Sequence, residues 1–404
     1  MTTKERKADI IVIGGGLMGC SCAYYLAKSG KKVLLLEARN IASGASGRNG
    51  GQVLQLEGRD TDPESVMRRL IYTGAGSRML KNLSRELDID LEYDQCGSLD
   101  LATDQEEAEY LQGLVSDQNK AGDKEIEWID QDKVRELFPA AAENILGARF
   151  RPTDGVINPF WLNHGFARAA RRYRAQVLTH TKVEEILIEN GRVRGVRTAR
   201  EVFEAPVVIN AANAWASFLT KEISIFPLRM VAVLSESVPA LCAACPLEAE
   251  INGETLFTTT QTKSGNILMG GLGTEARTRS DQYKEDIRLT EVQNCTKIIT
   301  TFLPDLSSIN IIRAWSGTMA QTGDGLPCIG PVPGTEGLIL VAGFSNGMAY
   351  APIVGRLVAE YITRGSTSLP IDVFDPARFY KKKIDWPEFY NYTLLQRFLG
   401  RLYS

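Results

Sequence analysis

The residues with the most chemical content stand near the start of the chain. Gly14, Gly16 and Gly19 have the spacing Gly-x-Gly-x-x-Gly, and an acid, Glu37, follows Gly14 by 23 residues. Each glycine has a mechanical task. Gly14 permits a tight turn, Gly16 lets a pyrophosphate approach the backbone, and Gly19 lets a helix pack closely on a strand. A helix opening at Leu17 and Met18 would turn unpaired N–H groups and its positive dipole end toward the phosphates. Glu37 would accept hydrogen bonds from ribose hydroxyls, and its charge opposes a 2′-phosphate, so NADP is not expected. The segment from Ile41 to Gln52 is full of glycine and small polar residues: Gly44, Ser46, Arg48, Asn49, Gly50, Gly51 and Gln52. Such a segment can lay many backbone N–H groups along a long, bent cofactor, which favours FAD over NAD.

The elements that must position these residues are legible around them. Asp9–Ile13 reads as a buried parallel strand, residues 17–28 as a helix stopped by Gly30, and Lys32–Leu36 as a second strand ending at Glu37. A glycine motif alone is a weak signal; strand, motif, helix, strand and acid in register form a specific one. Lys4, Arg6 and Lys7 before the apolar stretch Ile10–Ala27 imitate a secretory signal, but the glycines inside it fit a nucleotide turn better. No other long apolar run occurs, so no transmembrane segment and a cytoplasmic location are expected.

The 404 residues exceed one core, and two interleaved domains are expected. With 46 basic and 49 acidic residues the net charge is −3, which gives no field for nucleic acid. The seven cysteines are scattered and odd in number, unlike a disulfide framework. Cys242 and Cys245 have metal-like spacing without further ligands nearby in sequence, so no metal is expected. Ser65–Leu87 and Asp104–Lys120 read as amphipathic helices, and alternation through residues 227–233 and 257–273 suits antiparallel strands.

Glu37-Ala38-Arg39 followed by Gly44-Ala-Ser46-Gly-Arg48-Asn49-Gly50-Gly51-Gln52 resembles the D-amino-acid oxidase-type FAD-dependent oxidoreductases. That family includes glycine and sarcosine oxidases and opine, proline and D-amino-acid dehydrogenases. The resemblance continues through Asp154–Pro159, a helix over 160–173, and a hairpin from Thr181 to Val196 with a turn at Asn190-Gly191. It ends in Val207–Trp215, Arg313–Gly317, Thr322–Gly330 and Gly343–Pro352. It implies an α/β fold: a discontinuous, Rossmann-like FAD-binding domain (1–90, 145–220, 312–375) with an interleaved α+β substrate domain (91–144, 221–311) built on a mostly antiparallel sheet. The tail, 376–404, holds Trp386, Phe389, Tyr390, Tyr392, Phe398 and Tyr403; packing and a partner interface both stay open. The resemblance also implies adenine contact at Val183, a cofactor turn at Ala212 and Trp215, and a flavin-capping loop of Gly343, Ser345, Asn346, Gly347 and Met348. The FAD is expected to be bound non-covalently.

In such enzymes the flavin takes hydride from a C–H next to a neutral amine, and the imine formed is hydrolysed; no acid–base dyad is required. Only two histidines occur, His164 and His180, and both are expected to be structural. No residue is singled out as catalytic. Substrate contacts are expected from Arg313, Tyr350, Met319 and Gln52, with Met348 close by. Arg313 could instead pair with an acid, and Tyr350 could simply pack. Glycine oxidase-type members carry arginines near Met319 and Ser345, so simple glycine oxidase activity is not expected. Neither an oxygen-activating lysine in Ile267–Met269 nor an FMN-tethering histidine at Asn158-Pro159 is present. The pattern favours a dehydrogenase acting on a small amine or amino acid, with a partner subunit or a quinone as electron acceptor. The alternatives are a non-catalytic or electron-transfer flavin subunit of a multi-subunit dehydrogenase, and a FAD monooxygenase.

Overall fold

The computed structural model describes residues 6–56, 62–241, 247–251, 255–272, 286–380 and 382. Cys242, Cys245 and the tail aromatics from Trp386 onward lie outside them.

The N-terminal apolar tetrads form the centre of a six-stranded sheet. Its edge-to-edge order is β18 (Cys328–Pro331), β19 (Leu338–Ala342), β12 (Val207–Asn210), β1 (Ile10–Ile13), β2 (Val33–Leu36) and β8 (Gln176–Leu178). All neighbours are parallel except the edge pair β18–β19. Both faces are covered, as the unbroken apolar runs require. Ile10, Val12, Val33 and Leu35 point into one core, shared with α1 (Leu17–Lys28), α2 (Pro63–Leu87), α5 (Pro159–Arg172) and α7 (Ala351–Arg364). Ile11, Ile13, Leu34 and Leu36 point the other way, onto the three-stranded sheet of β9 (Val183–Glu189), β10 (Arg192–Thr198) and β11 (Val202–Glu204). The β9–β10 turn is at Asn190-Gly191, both with positive φ (53° and 74°), which matches the strand twist.

An eight-stranded sheet carries the rest. It runs β17 (Ile311–Gln321), β13 (Phe226–Ser237), β16 (Asn266–Leu272), β15 (Thr255–Gln261), β14 (Leu247–Ile251), β4 (Ser98–Ala102), β6 (Gly147–Arg151) and β5 (Glu127–Asp130). Only the β14–β4 pair is parallel. The segments 145–220 and 312–375 open with β6 and β17, which pair within this second sheet, β6 with β4 and β5 and β17 with β13.

Alternation divides the second sheet's faces. Val231, Val233, Ile267 and Met269 pack against α4 (Gln131–Leu137) and α6 (Leu289–Phe302), while α3 (Gln105–Lys120) packs by its own apolar stripe near Ala102 and Trp128. Arg229 lies on the α6 face, buried and paired with the buried Glu291 at 2.6 Å. The opposite face meets the half of the molecule built on the six-stranded sheet. There Ser98 and Asp100 of β4 and Arg149 and Arg151 of β6 form a buried charged cluster with Asp123 and Asp154. Asp154 fixes the short ladder of β3 (Gln52–Val53) with β7 (Gly155–Val156), because its Oδ1 accepts from the Gln55 amide at 2.9 Å.

Candidate functional site

Three parallel strands, β1, β12 and β19, lie side by side and end at the same edge. Their following turns therefore meet: residues 14–18, 211–215 and 343–348. At a switch point of this kind, an α/β sheet leaves a crevice.

The first turn is held at very short range. Gly14 has φ +105°, and a Cβ there would lie 2.7 Å from the carbonyl oxygen of Ala211. A methyl at Gly19 would collide with the carbonyl of Gly14. The Gly15 amide donates to Glu37 Oε2 at 2.6 Å, and the Arg39 amide to Glu37 Oε1 at 2.7 Å. Glu37 is thereby locked at the end of β2 beside Gly15, with the exposed Ala38 next to it. Leu17 N donates to Ser46 Oγ at 2.9 Å, which ties the 41–50 loop across the start of α1. Among the described residues, the amides of Gly16 and Met18 have no protein acceptor.

The second turn supplies Trp215, whose ring edge faces Gly44 and lies under the Arg39 guanidinium at 5.9 Å. Val183 is buried, and the neighbouring Thr181 amide donates to the Glu37 carbonyl. Asn213 has φ +47°, in the left-handed region that asparagine tolerates. The third turn runs beside α1: a Cβ on Gly347 would touch Met18 and Leu17. Asn346 Nδ2 donates to the Leu54 carbonyl at 2.9 Å, and the Ala351 amide donates to the Gly347 carbonyl at the start of α7. The amides of Ser345, Asn346, Gly347 and Met348 have no acceptor among the described residues. Two groups of unpaired N–H donors thus line one crevice. They fit an elongated anionic dinucleotide, with pyrophosphate at the α1 end and a ring that gains negative charge at the α7 end.

The eight-stranded sheet closes over this region. By register, Met319, Gly317, Trp315 and Arg313 of β17 share a face with Leu228, Met230, Ala232 and Leu234 of β13, and with Gly270 and Leu268 of β16. That face meets the first half directly. Gln52 Nε2 donates to Thr260 Oγ1 at 3.1 Å, a Cβ on Gly50 would touch Leu268, and Trp315 Nε1 donates to the Arg48 carbonyl at 3.0 Å. From Met319 to Trp315 the row has no ionisable side chain.

Several expected site residues make contacts within the protein. Arg48 Nε and Nη1 donate to the Ser43 and Ser316 carbonyls (3.1 and 2.7 Å), which latches the loop to β17. Asn49 folds its carboxamide back onto Ala45, Ser46 and Gly51, leaving only backbone for a ligand. Tyr350 is buried between Phe344 and Phe374, at centroid distances of 5.8 and 6.3 Å, so it packs rather than lining an open pocket. Met348 is likewise buried in that core.

Arg313 has no acid partner among the described residues; it stacks over Trp315 at 5.0 Å and lines a second cavity. This cavity, of about 1480 Å³, takes in residues of the 39–50 loop and none of the residues 14–18, 211–215 or 343–348, and also borders Asn158, Phe160, His164 and Lys263. Sequence reasoning missed it, because it is assembled from six separated segments. His180 is exposed, with Nε2 3.1 Å from Asn40 Oδ1. Among the described residues no group of His, Cys, Asp or Glu could hold a metal ion, and no helix is long and apolar enough to cross a membrane.

Comparison with known proteins agrees with this geometry. Glycine oxidase of Bacillus licheniformis is 30% identical over 363 residues, covering 89% of this chain and 94% of that protein. The hydrogen cyanide synthase subunit HcnC of Pseudomonas protegens is 25% identical over 92% of this chain and 96% of its own. The crystal structure of L-proline dehydrogenase from P. horikoshii superposes with a TM-score of 0.82 at 31% identity, over 93% of this chain and 98% of that one. The model of the FAD dependent oxidoreductase family matches residues 9–361, and the chain belongs to that family.

Proposed function

We propose that the chain oxidises the C–N bond of a small amine or amino acid. FAD, when bound, supplies the two-electron acceptor: hydride leaves the carbon next to nitrogen, and water hydrolyses the imine. The observation that carries this reading is the non-ionisable row from Met319 to Trp315 above a crevice lined by unpaired amides. Hydride chemistry on a neutral amine needs orientation and a ring-stabilising field rather than a proton-transferring dyad.

The residues divide the work. The glycine turn Gly14–Gly19, with the unpaired amides of Gly16 and Met18, would hold pyrophosphate, beside Leu17 tied to Ser46. Glu37, Ala38, Arg39, Val183, Ala212 and Trp215 would surround the adenosine. Gly44, Ser46, Arg48, Asn49, Gly50 and Gly51 would follow the cofactor through their backbone, and Gly343 with Ser345–Met348 would face the ring, non-covalently. Gln52, fixed by Thr260, and Met319 would border the substrate. Met319 offers a substrate carboxylate no ionic partner, so an amino-acid substrate would have to place that group elsewhere. The lysine-free strand Asn266–Leu272 supports a dehydrogenase that hands electrons to a quinone or partner subunit. L-Proline dehydrogenase, at 31% identity, supports a secondary amino acid.

The test is product analysis. Purified protein given a panel of amino acids and an artificial dye acceptor should release an oxo product and ammonia, or a cyclic imine from a ring amine. Turnover with no member of the panel counts against the reading.

A second reading, that the chain is one subunit of a complex, is favoured by one observation. Phe160 and Trp161 (48% and 45% exposed) and Ile312 (59%) stand uncovered around the segments that line the second cavity. HcnC is itself named as a subunit. Co-purification of a stoichiometric protein partner from the source cells would support it, and a monodisperse, fully active single chain would count against it.

A further inference from the structure

Asn213 joins two of the turns that border the crevice. It follows β12, and its carboxamide reaches across to the turn after β19. Oδ1 accepts from two consecutive amides, Gly343 and Phe344, both at 2.9 Å, and Nδ2 donates to the Phe344 carbonyl at 3.3 Å. One side chain therefore pins the first two residues of the 343–348 turn. The four residues that follow are those whose amides have no protein acceptor. A further clamp lies downstream, where Asn346 Nδ2 holds the Leu54 carbonyl. Asn213 itself is held by its left-handed backbone and by the Asn210 side chain just before it, whose Oδ1 accepts from the Ala212 amide.

We propose that Asn213 is a positioning residue for the flavin. By satisfying the Gly343 and Phe344 amides within the protein, it fixes where the 343–348 turn leaves β19. The unpaired amides of Ser345–Met348 are then held toward the crevice before the cofactor arrives. Donors fixed in advance stabilise developing charge better than donors that must reorganise. They favour the anionic reduced ring over the neutral oxidised one, so the clamp raises the reduction potential as well as the affinity. The inference rests on FAD occupying this crevice and is independent of the substrate.

The test compares Asn213→Gly with Asn213→Asp. Glycine keeps the left-handed backbone and loses the clamp; aspartate keeps an acceptor for both amides. Fluorescence titration of the flavin-stripped full chain reads FAD affinity, spectroelectrochemistry reads the midpoint potential, and thermal unfolding of the stripped form reads folding. For Asn213→Gly, FAD should bind roughly tenfold to thirtyfold more weakly, as for two lost neutral hydrogen bonds. A further tenfold loss in the reduced form would lower the potential by about 30 mV. Asn213→Asp should stay within about threefold of the parent affinity. The proposal is overturned if Asn213→Gly retains parent affinity and potential, or if it only lowers the melting temperature of the stripped form. It is equally overturned if Asn213→Asp weakens FAD as much as glycine does.

Discussion

Gly14→Ala is the sharpest perturbation of the nucleotide turn, because a built-in control exists. Gly14 and Gly30 both need positive φ (+105° and +87°), and an alanine at either pays a backbone cost of about 1–3 kcal/mol. Their surroundings differ. At Gly30 nothing lies within 4 Å of an added Cβ, whereas at Gly14 the methyl would lie 2.7 Å from the Ala211 oxygen and 3.1 Å from its carbonyl carbon. Both are backbone atoms of the turn after β12, so no side chain can swing away. Reaching an ordinary contact requires a separation of roughly 0.5 Å between the turns. That displacement carries the start of α1 with it, including the amides of Gly16 and Met18. Losing even one charge-assisted bond to a phosphate costs about 1.5–3 kcal/mol, or roughly 10- to 100-fold in affinity. Flavin titration of both stripped variants, with circular dichroism to confirm folding, reads the difference. Gly30→Ala should bind FAD as the parent does, and Gly14→Ala should bind it roughly 10- to 100-fold more weakly. Equal affinities in two folded variants would refute the close-approach reasoning.

Three other outcomes are expected. Arg229→Met strands the buried Glu291 carboxylate and should cost about 3–5 kcal/mol in urea unfolding, much of it restored by adding Glu291→Leu; a loss below about 1 kcal/mol would show the pair to be dispensable. Asp154 is pushed up to about 6 by burial, against the pull of Arg151. Its folded-state proton is held more tightly than in the unfolded chain, so its stabilising contribution is present below about pH 4 and lost as pH rises through about 6; relative to Asp154→Asn, the parent should lose on the order of 2–3 kcal/mol across that window, and parallel pH profiles would contradict this. Gly113 sits inside α3 with open space around an added Cβ, so Gly113→Ala should stabilise by roughly 0.5–1 kcal/mol in the same assay, and destabilisation would mean the helix is packed there.

The nucleotide half of the fold was legible because its signals are local. The turn at Gly14–Gly19, the stop at Gly30 and the Asn190-Gly191 hairpin each state their geometry within a few residues. The substrate half was less so. Nothing in Gly147–Arg151 or Ile311–Gln321 says which sheet will accept β6 or β17, since pairing is decided by partners up to 95 residues away in sequence. Side-chain directions were the weakest part. Arg313, Arg48 and Tyr350 are each of a type that could bind substrate or cofactor. Whether they do depends on Trp315, the Ser316 carbonyl and Phe374, contacts that no spacing rule contains. The clamp of Asn213 on Gly343 and Phe344 is not legible in the sequence, because it needs the parallel register of β12 with β19.

The central claim is most directly tested by the visible flavin absorbance of the purified protein under anaerobic conditions. Amines, amino acids and, separately, NADH and NADPH would be added. Amine or amino-acid oxidation predicts that the band bleaches with at least one amine or amino acid, and not with either nicotinamide. Bleaching by a nicotinamide, with none by any amine, would contradict it.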